Sequence, residues 1–119
     1  MISEKQQKEE LSSLSFKLLS NIHQKLNERV IADGYGMRGK SKWVKEAIIQ
    51  LFALENFHEL VWLSTEIEAK SDTVSIRIPR SLSVEIEHAI VKLRTNYPTL
   101  EGVQSKIIRT AIMQRLLRS

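Results

Sequence analysis

The chain contains no cysteine, and aromatic residues make up only 6% of its 119 residues. Without cysteine there is no disulfide framework, no thiolate metal site and no thiol nucleophile, and an intracellular location is the expected default. No apolar run approaches the roughly 18 residues that a membrane-spanning helix needs. The N-terminal segment MISEKQQKEEL is polar and charged, whereas a signal peptide would be apolar. We therefore expect a soluble, cytoplasmic protein that does not associate with membranes.

The sequence also lacks the short motifs of common catalytic and cofactor sites. It has no Gly-rich phosphate loop, no nucleophile elbow and no zinc-binding helix motif. Its three histidines, at positions 23, 58 and 88, are dispersed and have no cysteine or carboxylate pair at ligand spacing. The length suits one ordinary domain or two very small ones, which excludes large catalytic barrels. We predict no enzymatic activity, no metal and no other cofactor.

The chain does have enough apolar residues for a core, and its charge is unevenly distributed. Hydrophobic residues make up 42% of the chain and charged residues 27%, a balance typical of a folded domain. Residues 13–53 and 73–119 carry net charges of +4 and +5, whereas residues 1–12 and 54–72 carry −1 and −4. This pattern indicates two anion-facing units joined by a solvated connector. Mixed charges on ordinary helix surfaces would produce it as well.

Two short segments, sixty residues apart, alternate polar and apolar residues with a period of two. They cover residues 13–18 and 73–79, and the alternation predicts two half-buried strands. The apolar positions of both segments fall in the same phase and are Leu14, Phe16, Leu18, Val74, Ile76 and Ile78. The polar positions also match in type and are Ser13, Ser15, Lys17, Thr73, Ser75 and Arg77.

After each segment the apolar period changes to about 3.6, which predicts an amphipathic helix. At the same offset of sixty, Ile22, Leu26 and Val30 align with Leu82, Ile86 and Ile90. Ser20 and Asn21 in the first half, and Pro79 and Ser81 in the second, suit a helix start. Gly34 and Gly36 end the first of these helices, whereas the second can continue to Asn96.

A second helix follows in each half. The segment SKWVKEAI, from Ser41, aligns with SKIIRTAI, from Ser105, at an offset of sixty-four. The four additional residues are close to one helical turn, so we predict a longer first helix in the second half with the same buried face. The chain is therefore interpreted as two copies of a strand-helix-helix unit.

One such copy is too small to bury its apolar faces, and a lone strand leaves two edges unpaired. Antiparallel pairing of the two strands would bury one ribbon face against four helices and expose the other. We predict a mainly α-helical protein with one two-stranded antiparallel ribbon. Residues 12–53 and 73–119 form the two copies in one compact unit, and residues 54–72 form an acidic, helical connector. An all-helical scaffold, in which residues 13–18 are only a linker, remains the alternative.

The segment VSIRIP before a helix, and the two Ser-Lys-x-x-basic-x-Ala-Ile helix starts, resemble the ribbon-helix-helix family of the Arc and methionine repressors. Two copies in one chain are similar to its fused tandem forms, such as the TraY-type accessory proteins of conjugative plasmids. The first copy departs from the pattern at Leu19, where the second copy has Pro79. The resemblance implies an intramolecular pseudo-dimer that binds double-stranded DNA.

The resemblance also implies which residues contact DNA. Base contacts would come from the polar strand positions Ser13, Ser15, Lys17, Thr73, Ser75 and Arg77, with Arg77 as the strongest candidate because a guanidinium can bind guanine twice. Phosphate contacts would come from the start of each second helix, at Gly39, Lys40, Ser41, Lys42, Val103, Gln104, Ser105 and Lys106. Ser41 and Ser105 could instead be ordinary helix-start residues.

Residues 55–70 contain an apolar stripe, Phe57, Leu60, Val61, Ser64 and Ile67, which could dock on the helices or recruit a partner protein. Trp43 and Trp62 are expected in the core or between helices rather than stacked on bases. The predicted function is a transcriptional repressor or a plasmid-transfer (relaxosome) accessory factor, with further copies along DNA left open. The alternative is an antitoxin-like protein-interaction module.

Overall fold

The computed structural model describes residues 10–64 and 70–118. The elements are β1 (Leu11–Leu19), α1 (Ser20–Ala32), α2 (Lys40–Phe52), α3 (Phe57–Leu63), β2 (Ser71–Pro79), α4 (Arg80–Asn96) and α5 (Val103–Leu117). These residues form five helices and one two-stranded antiparallel sheet, which confirms the predicted helical fold with a single ribbon. The all-helical alternative is excluded, because residues 13–18 lie within a strand. No described helix is long and apolar enough to cross a bilayer.

The two strands pair along their whole length, with Leu11 opposite Pro79 and Leu19 opposite Ser71. Each strand has 9 residues, so the ribbon is longer than the predicted spans 13–18 and 73–79. The predicted alternation is confirmed, because one ribbon face is buried and the other is exposed. The buried face consists of Leu14, Phe16, Leu18, Val74, Ile76 and Ile78.

Backbone pairing continues past both ends of the ribbon. The Ser20 N–H donates to the Lys70 carbonyl at 3.1 Å, and the Arg80 N–H donates to the Glu10 carbonyl at 3.0 Å. These two hydrogen bonds correspond to each other at the offset of sixty residues found in the sequence. The internal similarity is therefore present in the backbone pairing as well as in the residue types.

Each strand runs into its first helix without a loop. The residues before α1 and α4 are Leu19, with φ −53° and ψ 138°, and Pro79, with φ −59° and ψ 145°. No side chain caps the start of either helix, so Ser20 is a helical residue and not a cap. Helix α1 has 13 residues and α4 has 17, so the second-half helix is longer by the predicted turn.

Helices α2 and α5 pack against each other, and both contact the ribbon. Their buried residues match at the offset of sixty-four; Trp43, Val44, Ala47 and Ile48 in α2 correspond to Ile107, Ile108, Ala111 and Ile112 in α5. The buried core draws residues from all seven elements. The matching apolar faces predicted from the two SK-x-x-basic-x-AI segments are therefore part of the buried core.

A polar network joins the end of α5 to α2. The Arg115 guanidinium donates to the Trp43 carbonyl at 2.7 Å and to the Tyr35 hydroxyl at 2.8 Å. Glu46 accepts a hydrogen bond from the Tyr35 hydroxyl and lies 3.3 Å from the Arg115 guanidinium. The Tyr35 bond and the Arg115 charge hold the pKa of Glu46 below its usual value. The Arg115 side chain therefore stabilises the contact between α2 and α5.

The acidic connector contains helix α3, which docks on the core. Val61 is fully buried, while Phe57 and Leu60 are half-buried against the core. Trp62 is 42% exposed and stacks on Tyr97, the residue that follows α4, with ring centroids 4.6 Å apart. It is therefore not a core residue like Trp43. Position 67 of the predicted stripe lies outside the described residues.

Candidate nucleic-acid interface

The exposed side of the ribbon presents six polar side chains, which we call the polar face. All six predicted base-contact residues are on it and are exposed: Ser13, Ser15, Lys17, Thr73, Ser75 and Arg77. They form three cross-strand pairs, Ser13 with Arg77, Ser15 with Ser75 and Lys17 with Thr73. The polar face therefore has hydroxyl groups at its centre and one cation towards each end.

The central pair is joined by a side-chain hydrogen bond. The Ser15 and Ser75 hydroxyl oxygens lie 2.8 Å apart, and either can be the donor. A hydroxyl has one donor and two acceptor positions, so this bond leaves both side chains able to bind a further group. The two serines are therefore held in place and can still bond to a ligand above the ribbon.

The first turns of α2 and α5 border the two outer edges of the ribbon. The Arg77 N–H donates to the Ser41 hydroxyl at 3.0 Å, on the outer edge of β2. On the outer edge of β1, the Gln104 amide donates to the Ser15 carbonyl at 3.3 Å. In an antiparallel pair, residues whose backbone N–H and C=O groups join the two strands alternate with residues whose groups point away from the partner strand. The polar-face residues are of the second kind, so their backbone groups can bind α2 and α5. The structure thus brings both predicted phosphate sites next to the polar face.

Backbone N–H groups in these first turns have no acceptor within their own helix, and the positive end of the helix dipole lies there. Helix α2 follows Gly39 and α5 follows Gly102, and no side chain caps either start. The Gly39 N–H already donates to the Gly36 carbonyl at 3.1 Å, so Gly39 is the least suited of the predicted phosphate contacts. Ser41 is not a helix cap, because its hydroxyl joins α2 to the ribbon.

The predicted phosphate contacts differ in exposure. Lys42 is exposed and Lys40 is half-buried. Lys106, the counterpart of Lys42, is only 5% exposed and takes part in an interaction within the chain. Val103 is 2% exposed, so it offers almost no surface to a ligand. The two helix starts thus differ in their side chains, and also in the preceding glycine, with φ −91° at Gly39 and φ 61° at Gly102.

Lys40 belongs to a chain of three polar groups that the sequence did not reveal. Its ammonium lies 2.9 Å from His23 Nε2, and His23 Nδ1 lies 2.8 Å from an Asp72 carboxylate oxygen. An ammonium can only donate, so Nε2 accepts and Nδ1 donates to Asp72. Burial lowers the pKa of Lys40, and the Asp72 charge partly opposes this effect. The orientation of Lys40 is therefore set by a histidine and a carboxylate from other elements.

One sequence signal could have pointed to this group. Asp72 is on the same face of β2 as the buried residues of that strand. A carboxylate on a buried face is destabilising unless it has a hydrogen-bond or charge partner. The partner, His23, is 49 positions away in the sequence, and only the strand register brings the two together.

Comparison with known proteins identifies no relative. No protein-family model matches the chain, and neither a curated protein nor a solved structure matches it significantly. In residues 10–64 and 70–118, no three His, Cys, Asp or Glu side chains are grouped so that they could hold a metal ion. The interpretation of the site therefore rests on its geometry and chemistry.

Proposed function

We propose that this chain is a sequence-specific double-stranded DNA-binding protein that inserts its two-stranded ribbon into the major groove. The proposal rests on one observation, the polar face. Two cations and four hydroxyl groups stand exposed on one side of a ribbon whose other side is buried. The major groove of B-DNA is about 12 Å wide and admits a two-stranded ribbon.

We further propose a tandem ribbon-helix-helix architecture, in which residues 12–53 and 73–119 act as the two halves of an intramolecular pseudo-dimer. The backbone before α1 and before α4 has nearly the same dihedral angles, which supports the equivalence of the halves despite Leu19 in place of Pro79. The matching buried faces of α2 and α5 also support it.

In this proposal the polar face reads base edges. Arg77 can donate two hydrogen bonds to O6 and N7 of a guanine, and Lys17 can donate to the same acceptors with less fixed geometry. The four hydroxyl groups can donate to or accept from any of the base edges. Since the two ends of the polar face are not identical, the bound sequence need not be a perfect inverted repeat.

Phosphate groups of the flanking DNA would bind at the first turns of α2 and α5, on either side of the ribbon. Free N–H groups and the helix dipole favour an anion there. Such contacts set affinity and its salt dependence but do not carry sequence information directly. A transcriptional repressor and a plasmid-transfer accessory factor would share this chemistry, and further copies could bind along the same DNA.

The test begins with selection of bound duplexes from a random pool, followed by binding measurements by fluorescence anisotropy over a range of salt concentrations. We expect the selected duplex to bind more tightly than a scrambled one. For Arg77→Ala, removal of a bidentate base contact should reduce this discrimination by about 1–3 kcal/mol. Unselective binding by the wild-type protein, or a stable complex only with a protein partner, would contradict the proposal and favour the antitoxin-like alternative.

Arg94→Ala is the matched control, because it removes the same charge from an exposed position of α4. Arg94 is fourteen residues beyond the start of α4, about 21 Å along the helix axis from the ribbon. We expect this variant to discriminate between the two duplexes as the wild-type protein does. Equal effects of both substitutions would mean that Arg77 acts only through net charge.

A further inference from the structure

The two ends of the polar face differ in charge. The end with Arg77, bordered by the first turn of α2, is here called the strong end. The other end, with Lys17, is bordered by the first turn of α5 and is called the weak end. Ser41 contacts the Arg77 N–H directly, and Gln104 contacts the outer edge of β1 at the Ser15 carbonyl, one outward position before Lys17.

The helix that borders the strong end presents an exposed lysine, and its counterpart does not. Lys42 of α2 aligns with Lys106 of α5 at the offset of sixty-four. Lys40 does not add to the strong end, because its ammonium is held by His23 and Asp72 next to the Lys17–Thr73 pair. Lys42 is exposed, whereas Lys106 is 5% exposed. The weak end therefore has an almost fully buried lysine in place of an exposed one.

The loops before the two helices increase this difference. Exposed Arg38 precedes Gly39 at the start of α2, whereas exposed Glu101 precedes Gly102 at the start of α5. Lys45 of α2 and Arg109 of α5 align at the same offset. Both are half-buried cations, so they add nothing to the difference in charge between the two ends. The difference in charge between the two ends is therefore carried by these side chains.

We propose that the chain binds DNA in one fixed orientation, with the strong end making most of the phosphate and base contacts. This inference rests on the proposed function and adds to it the polarity of the complex. The bound DNA would have one well-defined half, recognised around Arg77, and one degenerate half. A symmetric homodimer cannot make this distinction, because its two ends are identical.

Orientation can be measured directly because the chain has no cysteine. Met37→Cys and Thr99→Cys place single thiols in the exposed loops before α2 and α5. Each variant is labelled with an iron–EDTA reagent and bound to the selected duplex. With a fixed orientation, the Met37→Cys conjugate cleaves one flank of the site and the Thr99→Cys conjugate cleaves the other. Cleavage of both flanks by each conjugate overturns the fixed orientation, while retained binding leaves the proposed function intact.

The salt dependence of binding to a random duplex gives a second readout. Removing one cation that binds a phosphate group should reduce the slope of log K against log salt by about 0.9. Lys42→Ala should show this reduction, and Gln104→Lys should increase the slope by adding a cation at the weak end. An unchanged slope in either variant would overturn the charge asymmetry. Absence of binding by the wild-type protein would instead contradict the proposed function.

Discussion

Asp72 shows how one residue can join the ribbon to a helix. It lies at an inward position of β2, and its side chain is 39% exposed. Its carboxylate accepts hydrogen bonds from His23 at 2.8 Å and from the Ser20 hydroxyl at 3.0 Å. The His23 bond and then the Ser20 bond hold the pKa of Asp72 below its usual value. The charged form is thus favoured in the folded chain.

We predict that Asp72→Asn lowers the free energy of unfolding at pH 7. Because the folded-state pKa of Asp72 is depressed, its contribution is fully present above the unfolded-state pKa of about 3.9 and is lost as the pH falls through the lower folded-state value. Urea unfolding of wild type and variant at pH 7 and in the acid range measures this. The difference between the two proteins should shrink on acidification.

Glu87→Gln serves as the control for loss of a carboxylate, since Glu87 is exposed on α4. We expect it to leave the free energy of unfolding nearly unchanged at both pH values. If Asp72→Asn were equally destabilising in acid and at neutral pH, its effect would come from changed packing and not from the ionised carboxylate.

At the scale of elements, the junction between each strand and its first helix is set by one residue. Leu19 adopts almost the same backbone conformation as Pro79 although it is not a proline. The Leu19 N–H, like the Lys17 N–H, points away from β2 and makes none of the hydrogen bonds between the two strands. The preceding Leu18 is extended, as a residue before proline should be.

We therefore predict that Leu19→Pro stabilises the protein by about 0.4–1 kcal/mol, because it restricts only the unfolded chain. Thermal and urea unfolding measure the change. Leu18→Pro is the matched control, since Leu18 is buried and its N–H lies in the ladder phase. It should be strongly destabilising. A destabilising Leu19→Pro would show that the two junctions are not equivalent.

The sequence predicted the elements well where periodicity determines them. The alternation of apolar and polar residues around Phe16 and Ile76 predicted which face of each strand is buried. The increase in repeat offset from sixty to sixty-four predicted the additional turn of α4. It did not show that pairing extends over 9 residues per strand, since the ladder needs backbone groups and no particular side chain there. The burial of Lys106 and the partners of Asp72 could not be predicted, because they depend on how distant elements pack against each other and not on the residues next to them in the sequence.

At the scale of the whole molecule, the two halves have no separate cores. The buried face of β1 lies on the same ribbon as that of β2, and α2 packs directly on α5. Neither half can therefore lose its structure without exposing apolar surface of the other. A chain built in this way should unfold in one cooperative transition.

We predict that a core substitution in the second half unfolds the first half at the same denaturant concentration. Ile108→Ala, at a fully buried position of α5, should cost about 2–5 kcal/mol. In a Trp62→Phe background, tryptophan fluorescence comes from Trp43 alone and reports on α2. Far-UV circular dichroism reports on all helices, and both midpoints should shift together. Val91→Ala, at a position 64% exposed, should shift neither. If circular dichroism alone moved while the Trp43 transition stayed in place, the halves would fold independently, and a single ribbon shared between them could not hold the DNA-reading side chains in register.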